Sequence, residues 1–123
     1  MGNAGSPYAL WQRSLKTGNA NLALDATLEL GRPLKLPEAL ALVLVLARAQ
    51  DPRWERMAVR WAARYLQEAR PAPDAAEASL VLAAAGALGG SSASTAVEAL
   101  HALADARGRD DLIRTLNDHG PQR

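Results

Sequence analysis

The chain lacks cysteine and phenylalanine, and it has almost no excess charge of either sign. Without cysteine, disulfides, thiolate metal sites and cysteine nucleophiles are excluded. Fourteen basic and thirteen acidic residues give a formal net charge of +1. No global field therefore attracts nucleic acid or a membrane surface, and an electrostatic partner would have to recognise a local patch.

Long hydrophobic runs are also absent. The longest, ALALVLVLA at residues 39–47, is too short to cross a bilayer, which takes about 20 residues. The N-terminal sequence MGNAGSPYAL has neither the basic start nor the apolar stretch of a signal peptide. We therefore expect a cytoplasmic protein without a membrane partner.

The residues that are abundant favour helices. Alanine and leucine dominate and β-branched residues are few, which disfavours strands. A length of 123 residues predicts one domain over 1–123, with flexible ends at 1–5 and 120–123. Arginine outnumbers lysine by twelve to two, which indicates a GC-rich genome such as that of an actinobacterium.

Prolines, glycines and capping residues divide the chain into seven helices with short connections. The expected starts are Ser6-Pro7, Asn19 or Asn21, Pro37-Glu38, Asp51-Pro52, Asp74, the Thr95–Glu98 capping box, and Asp110 or Asp111. The expected ends are Gly18, Gly31, residue 49, the proline-containing linker 69–74, Gly89-Gly90, Gly108 and Gly120. This pattern predicts an all-α fold of six to seven short helices, built as a helical-hairpin array or an orthogonal bundle.

The third predicted helix, residues 37–49, is apolar on all sides. Its leucines and valines between Leu40 and Leu46 leave no polar face. A helix of this kind belongs in the centre of a domain, where other helices cover it. We therefore expect the remaining helices to pack around it.

The fourth predicted helix, in DPRWERMAVRWAARYLQEAR at residues 51–70, has two distinct faces. On a helical wheel, Trp54, Ala58, Trp61 and Tyr65 fall within roughly 60° of one another, and they are expected to point inward. The arginine stripe, which consists of Arg53, Arg56, Arg60 and Arg64, lies roughly 100–140° away from them. The stripe therefore has no role in the core.

The arginine stripe has two interpretations. It is a binding face, or it is a solvated face whose charges are neutralised by carboxylates within the chain. Arg56 with Arg60, and Arg60 with Arg64, are like charges four residues apart, and each pair repels by about a few tenths of a kcal/mol. A sequence that keeps this repulsion favours the interpretation as a binding face.

A binding stripe predicts a non-enzymatic protein-interaction or regulatory module, whose partner is an acidic protein or a second copy of the chain. The alternative is a nucleic-acid-binding accessory protein, with RAQDPR at residues 48–53 as the turn of a helix-turn-helix. Four phosphate contacts would give a salt slope of only about −3 to −4.

No other segment indicates chemistry, so we expect no enzyme, cofactor, metal or small-molecule substrate. His101 and Asp105 share a helical face but lack a third ligand, and His119 is expected in a disordered tail. The segment at residues 89–94 lacks the lysine of a phosphate loop. Tyr8 and Trp11 lie beside basic residues and either stack on a ligand or pack against the third helix.

Two segments resemble known families. The first, residues 36–66, resembles small all-helical actinobacterial proteins with a leucine-rich helix followed by DPR, an aromatic residue, ER and AVRW. Its sequence is LPEALALVLVLARAQDPRWERMAVRWAARYL. The likeness covers about a quarter of the chain and implies only a helical fold and an origin. The second, residues 10–28, resembles part of a tetratricopeptide repeat; its sequence is LWQRSLKTGNANLALDATL. The resemblance implies a helical hairpin with Gly18 in its turn and Ala23 between its helices. No 34-residue period continues along the chain.

Overall fold

The computed structural model of the chain describes residues 5–121 and confirms the all-α prediction. The described residues form seven α-helices and no strand. The helices are α1 (Pro7–Thr17), α2 (Ala20–Glu29), α3 (Leu36–Arg48), α4 (Trp54–Glu68), α5 (Ala75–Ala85), α6 (Ala93–Ala106) and α7 (Asp110–His119). The predicted flexible ends at 1–5 and 120–123 fall largely on residues outside the described range.

Several helix ends form as the sequence predicts. The Ser6 hydroxyl accepts a hydrogen bond from the Ala9 N–H at the start of α1, and Gly18 ends that helix with a φ of 74°. Of the two candidate caps for α2, Asn19 is the one used, because its side chain accepts the Leu22 N–H. Gly108, with a φ of 67°, lies in the turn between α6 and α7.

The predicted start of α6 was wrong. The helix begins at Ala93, so Thr95 lies inside its first turn and does not cap it. The backbone itself sets this start, because the Ala93 N–H donates to the Gly90 carbonyl and the Ala96 N–H donates to the Ser92 carbonyl. Glycine-rich residues that can turn tightly thus begin the helix before the threonine is reached.

The helix α3 lies at the centre, as predicted from its apolar surface. It packs against α1, α2, α4 and α7, and nine of its residues are buried. Leu40, Val43 and Leu44 belong to a cluster shared with α4 to α7. Leu42 and Val45 belong to a second cluster, shared with the α1–α2 hairpin. Two cores on different sides of one helix explain why it has no polar face.

Consecutive helices pack as neighbours along the whole described chain. The helix α7 also returns to pack against α3, so α3 to α7 close on themselves. The α1–α2 hairpin is added to the outer side of α3, where Trp11 is 3% exposed. The indole N–H of Trp11 donates to the Thr27 hydroxyl at 2.9 Å, which joins the two helices of the hairpin.

A carboxylate that the sequence did not single out joins α4, α5 and the end of α6. Glu77 accepts two hydrogen bonds from the Arg107 guanidinium, at 2.6 and 2.9 Å, and one from the Tyr65 hydroxyl at 2.7 Å. Arg107 also donates to the Pro71 carbonyl. Burial, together with Glu77, raises the pKa of Tyr65 to about 12. The bonds from Arg107 and Tyr65 lower the pKa of Glu77.

The lowered pKa of Glu77 predicts acid sensitivity. A carboxyl group with a lower pKa in the folded state stabilises the protein above its unfolded pKa, about 4.3, and this stabilisation is lost as the pH falls through the folded pKa. Glu77→Gln should therefore be less stable than wild type at pH 7, and the difference should shrink towards pH 3. Urea unfolding at both pH values measures it.

The control for this prediction is Glu55→Gln, because Glu55 is exposed on α4 and bonds to no described residue through its side chain. Its unfolding midpoint should stay close to that of wild type at pH 7. A Glu77→Gln midpoint equal to that of the control at pH 7 would show that the three-helix network adds no stability.

Candidate functional site

The two faces of α4 form as predicted. Ala58, Trp61 and Tyr65 are buried, with exposures of 0%, 3% and 2%. Trp54 is partly buried and packs against both core clusters. The indole N–H of Trp61 donates to the Leu36 carbonyl at 3.0 Å, which fixes α4 against the start of α3. The opposite face of the helix carries the arginine stripe.

The first arginine of the stripe is bound within the chain. Arg53 lies just before α4, and its guanidinium donates to both carboxylate oxygens of Asp51, at 2.8 and 2.6 Å. It also donates to the Asn21 side chain of α2 at 2.8 Å. The bonds from Arg53 lower the pKa of Asp51 to about 2. Arg53 thus fixes the entry to α4.

The last arginine of the stripe is bound as well. Arg64 is half-buried, and it pairs with Glu68 one turn later on α4. It also donates to the Leu34 carbonyl in the connection between α2 and α3. The internal pairing that the sequence left open therefore applies to both ends of the stripe, where the guanidinium groups hold neighbouring segments together.

The middle of the stripe differs from its ends. Arg56 and Arg60 are both exposed, and within residues 5–121 no hydrogen bond or ion pair engages either guanidinium. Val59 lies between them and is 53% exposed. The outward face of α4 thus presents two cations one turn apart, with an apolar side chain beside them.

A groove lies between α1 and α7, with α3 as its floor, and no sequence motif pointed to it. Its volume is about 780 Å³. The lining includes Trp11 and Lys16 from α1, Ala41 and Arg48 from α3, and Arg114 from α7. The residues that α1 and α7 contribute are mostly spaced three or four apart, and only the folded arrangement of the three helices brings the lining together.

The groove carries more positive than negative charge. Its lining contains four cations: Lys16, Lys35, Arg48 and Arg114. Of its three carboxylates, Glu38 is bound by Arg32 through two hydrogen bonds, and Asp111 is bound by Arg109. Both of these arginines lie outside the lining. Only the Asp118 carboxylate remains to balance the four cations.

His119 lies at one end of the groove. The prediction of a disordered His119 was wrong, because it is the last residue of α7 and is half-buried. The chain continues into packed structure at Gly120, which is buried and donates its N–H to the Leu116 carbonyl at 2.9 Å. Burial lowers the pKa of His119, and the charges of Arg48 and Lys16 act in the same direction, whereas the charge of Asp118 opposes them.

Of the two roles that the sequence left open for Tyr8 and Trp11, the structure shows packing against α3 for Trp11. Trp11 packs into the core against α3, whereas Tyr8 is 45% exposed on the wall of the groove. Their ring centroids are 6.1 Å apart, and the Arg32 guanidinium lies 5.9 Å from the Tyr8 centroid.

The described residues contain neither a cluster of metal ligands nor a helix that could cross a membrane. Among residues 5–121, no group of three or more histidine and acidic side chains is placed to hold a metal ion. None of the seven helices is both long and apolar enough to cross a membrane. Comparison of the chain with protein-family models, with curated proteins and with solved structures finds no match.

Proposed function

We propose that the chain is a non-enzymatic interaction module of a bacterial cytoplasm that binds an acidic protein partner through the outward face of α4. The observation that carries the proposal is the division of the arginine stripe. Arg53 and Arg64 are held within the chain, whereas Arg56 and Arg60 are exposed and engaged by no described residue.

The chemistry of this face favours carboxylates. A guanidinium group binds a carboxylate through two parallel hydrogen bonds, and arginine is enriched at protein interfaces. A carboxylate bound between Arg56 and Arg60 would offset the repulsion between these two cations. Val59, which is 53% exposed, adds apolar area to the same face.

A protein partner is favoured over nucleic acid by the amount of available charge. Two arginines neutralise at most two phosphates, which gives a salt slope of about −2 and correspondingly weak binding. The carboxylates Asp51 and Glu68 lie at the two ends of the stripe and would repel a continuing phosphate backbone. A compact cluster of carboxylates on a protein avoids both problems.

The double variant Arg56→Gln/Arg60→Gln tests the proposal. Immobilised wild type and variant would be incubated with nuclease-treated lysate of the organism that encodes the chain, and the retained proteins compared by mass spectrometry. We expect an acidic protein on wild type that is lost from the variant. Exposed substitutions of this kind change stability by no more than about 0.5 kcal/mol each, so both baits remain folded.

The matched control is Lys35→Gln/Arg114→Gln, which removes two cations from the groove and none from α4. The acidic protein should remain bound to it.

Identical material on wild type and the α4 variant contradicts the proposal. Retention of duplex DNA by wild type, lost with rising salt, would identify nucleic acid instead, and a mass that increases with concentration would identify self-association.

A further inference from the structure

The groove between α1 and α7 has features of a second binding site. We infer that it binds an extended acidic peptide of another protein. The inference is independent of the proposed role of α4, because no residue of the arginine stripe lines the groove.

The charge of the groove specifies an anionic occupant. Lys16, Lys35, Arg48 and Arg114 come from α1, the start of α3, the end of α3 and α7. The side chains of Lys16, Lys35 and Arg114 bond to no described residue, and Arg48 makes only a long contact of 3.5 Å to the Leu15 carbonyl. These cations face a single carboxylate that no arginine holds, that of Asp118.

Helix stability explains part of this charge but not all of it. Lys16 and Arg48 lie in the last turns of α1 and α3, where a positive charge offsets the helix dipole. Lys35 lies at the opposite end of its helix, at the N-cap of α3, where the dipole disfavours a cation. Arg114 lies in the middle of α7, where the dipole has little effect. The helix dipole therefore does not account for Lys35 or Arg114.

The spread of the cations specifies an extended ligand. Lys35 and Arg48 are thirteen residues apart, which corresponds to about 20 Å along a helix. A single phosphate group reaches only one end of such a groove. An extended peptide advances about 3.3 Å per residue, so about six residues span the distance. Tyr8, exposed on the wall, offers a contact for an apolar side chain within that peptide.

The experiment uses a fluorescein-labelled peptide of six glutamates, with binding followed by fluorescence anisotropy at low ionic strength, where exposed charges act most strongly. Wild type should bind it, and Lys35→Gln/Arg114→Gln should bind about tenfold more weakly, as expected for two lost ion pairs. Arg13→Gln/Arg70→Gln loses the same net charge as the groove variant but lies outside both the groove and the arginine stripe, and its affinity should stay within about twofold of wild type. Circular dichroism confirms that all three proteins are folded.

Three results would overturn the inference. The first is no binding of the hexaglutamate by wild type. The second is an equal loss in both variants, which would reflect net charge alone. The third is inorganic polyphosphate displacing the peptide and binding more tightly, which would identify a phosphate ligand. Because the lysate experiment depends on the α4 variant and this one on the groove variant, either proposal can fail while the other stands.

Discussion

Replacing Trp61 with alanine should lower the free energy of unfolding by about 3–5 kcal/mol, the largest single effect that we expect in this chain. The indole is 3% exposed and lies among residues of α3, α4 and the helices that follow. Its ring centroid is 5.8 Å from that of Tyr65, so the substitution also removes an aromatic contact. A loss of this size is a large fraction of the total stability of a small domain.

The loss has two components, which a second variant separates. Truncation leaves a cavity, and it also removes the N–H that donates to the Leu36 carbonyl at 3.0 Å. Trp61→Phe keeps much of the ring but not the donor, so its loss should be clearly smaller than that of alanine.

Urea unfolding measures both Trp61 variants, with Arg60→Ala as the exposed neighbour on the same helix. The Arg60 variant should change the free energy of unfolding by no more than about 0.5 kcal/mol. A loss below about 1 kcal/mol for Trp61→Ala would mean that the indole does not fill the core.

The inward face of α4 could be predicted because it depends on periodicity alone. Residues three and four apart share a helix face in any fold, so Trp54, Ala58, Trp61 and Tyr65 could be assigned together before any tertiary contact was known. The central position of α3 was predictable for a similar reason, since a helix without a polar face needs cover on all sides. These features are encoded within one helix.

The division of the arginine stripe could not be predicted in the same way. The partners of Arg53 and Arg64 include Asn21 and the Leu34 carbonyl, which are about thirty residues away in the chain. Side-chain spacing shows part of this difference, because Glu68 lies four residues after Arg64 and Asp51 two residues before Arg53. Only the fold shows the bonds to Asn21 and to the Leu34 carbonyl, which hold these two arginines against other segments.

The groove was missed because its residues come from three helices that are distant in sequence. His119 is one example. Its position in the sequence predicted a disordered tail, whereas it lies in α7 and lines the groove. Lys35 gave no earlier signal, because the sequence predicts the start of the third helix at Pro37-Glu38 and so leaves Lys35 outside it. Only the observed start of α3 at Leu36 makes Lys35 its N-cap, a position that normally carries an acceptor side chain.

Replacing Gly89 with alanine should lower the free energy of unfolding by about 1–3 kcal/mol. The sequence marked Gly89-Gly90 as a helix stop, but α5 already ends at Ala85, so stopping that helix is not the role of Gly89. A Cβ atom at Gly89 would lie 2.6 Å from Cδ2 of Trp54 and closer still to Cε2. The indole cannot easily move, because it packs against both core clusters. Gly89 is therefore needed for the close approach of backbone to ring.

The neighbouring glycine supplies the control for this prediction. A Cβ atom at Gly90 would have its nearest contact at 3.8 Å, so Gly90→Ala should be neutral or slightly stabilising, since alanine restricts the unfolded chain more than glycine does. Combining Gly89→Ala with Trp54→Ala gives a double-mutant cycle that isolates the contact between the added methyl group and the indole. With the ring removed, the added methyl group should cost little, and the coupling energy should nearly equal the loss caused by Gly89→Ala alone. If Gly89→Ala is as destabilising without the indole as with it, the cost comes from the backbone of the α5–α6 connection and not from the contact with Trp54.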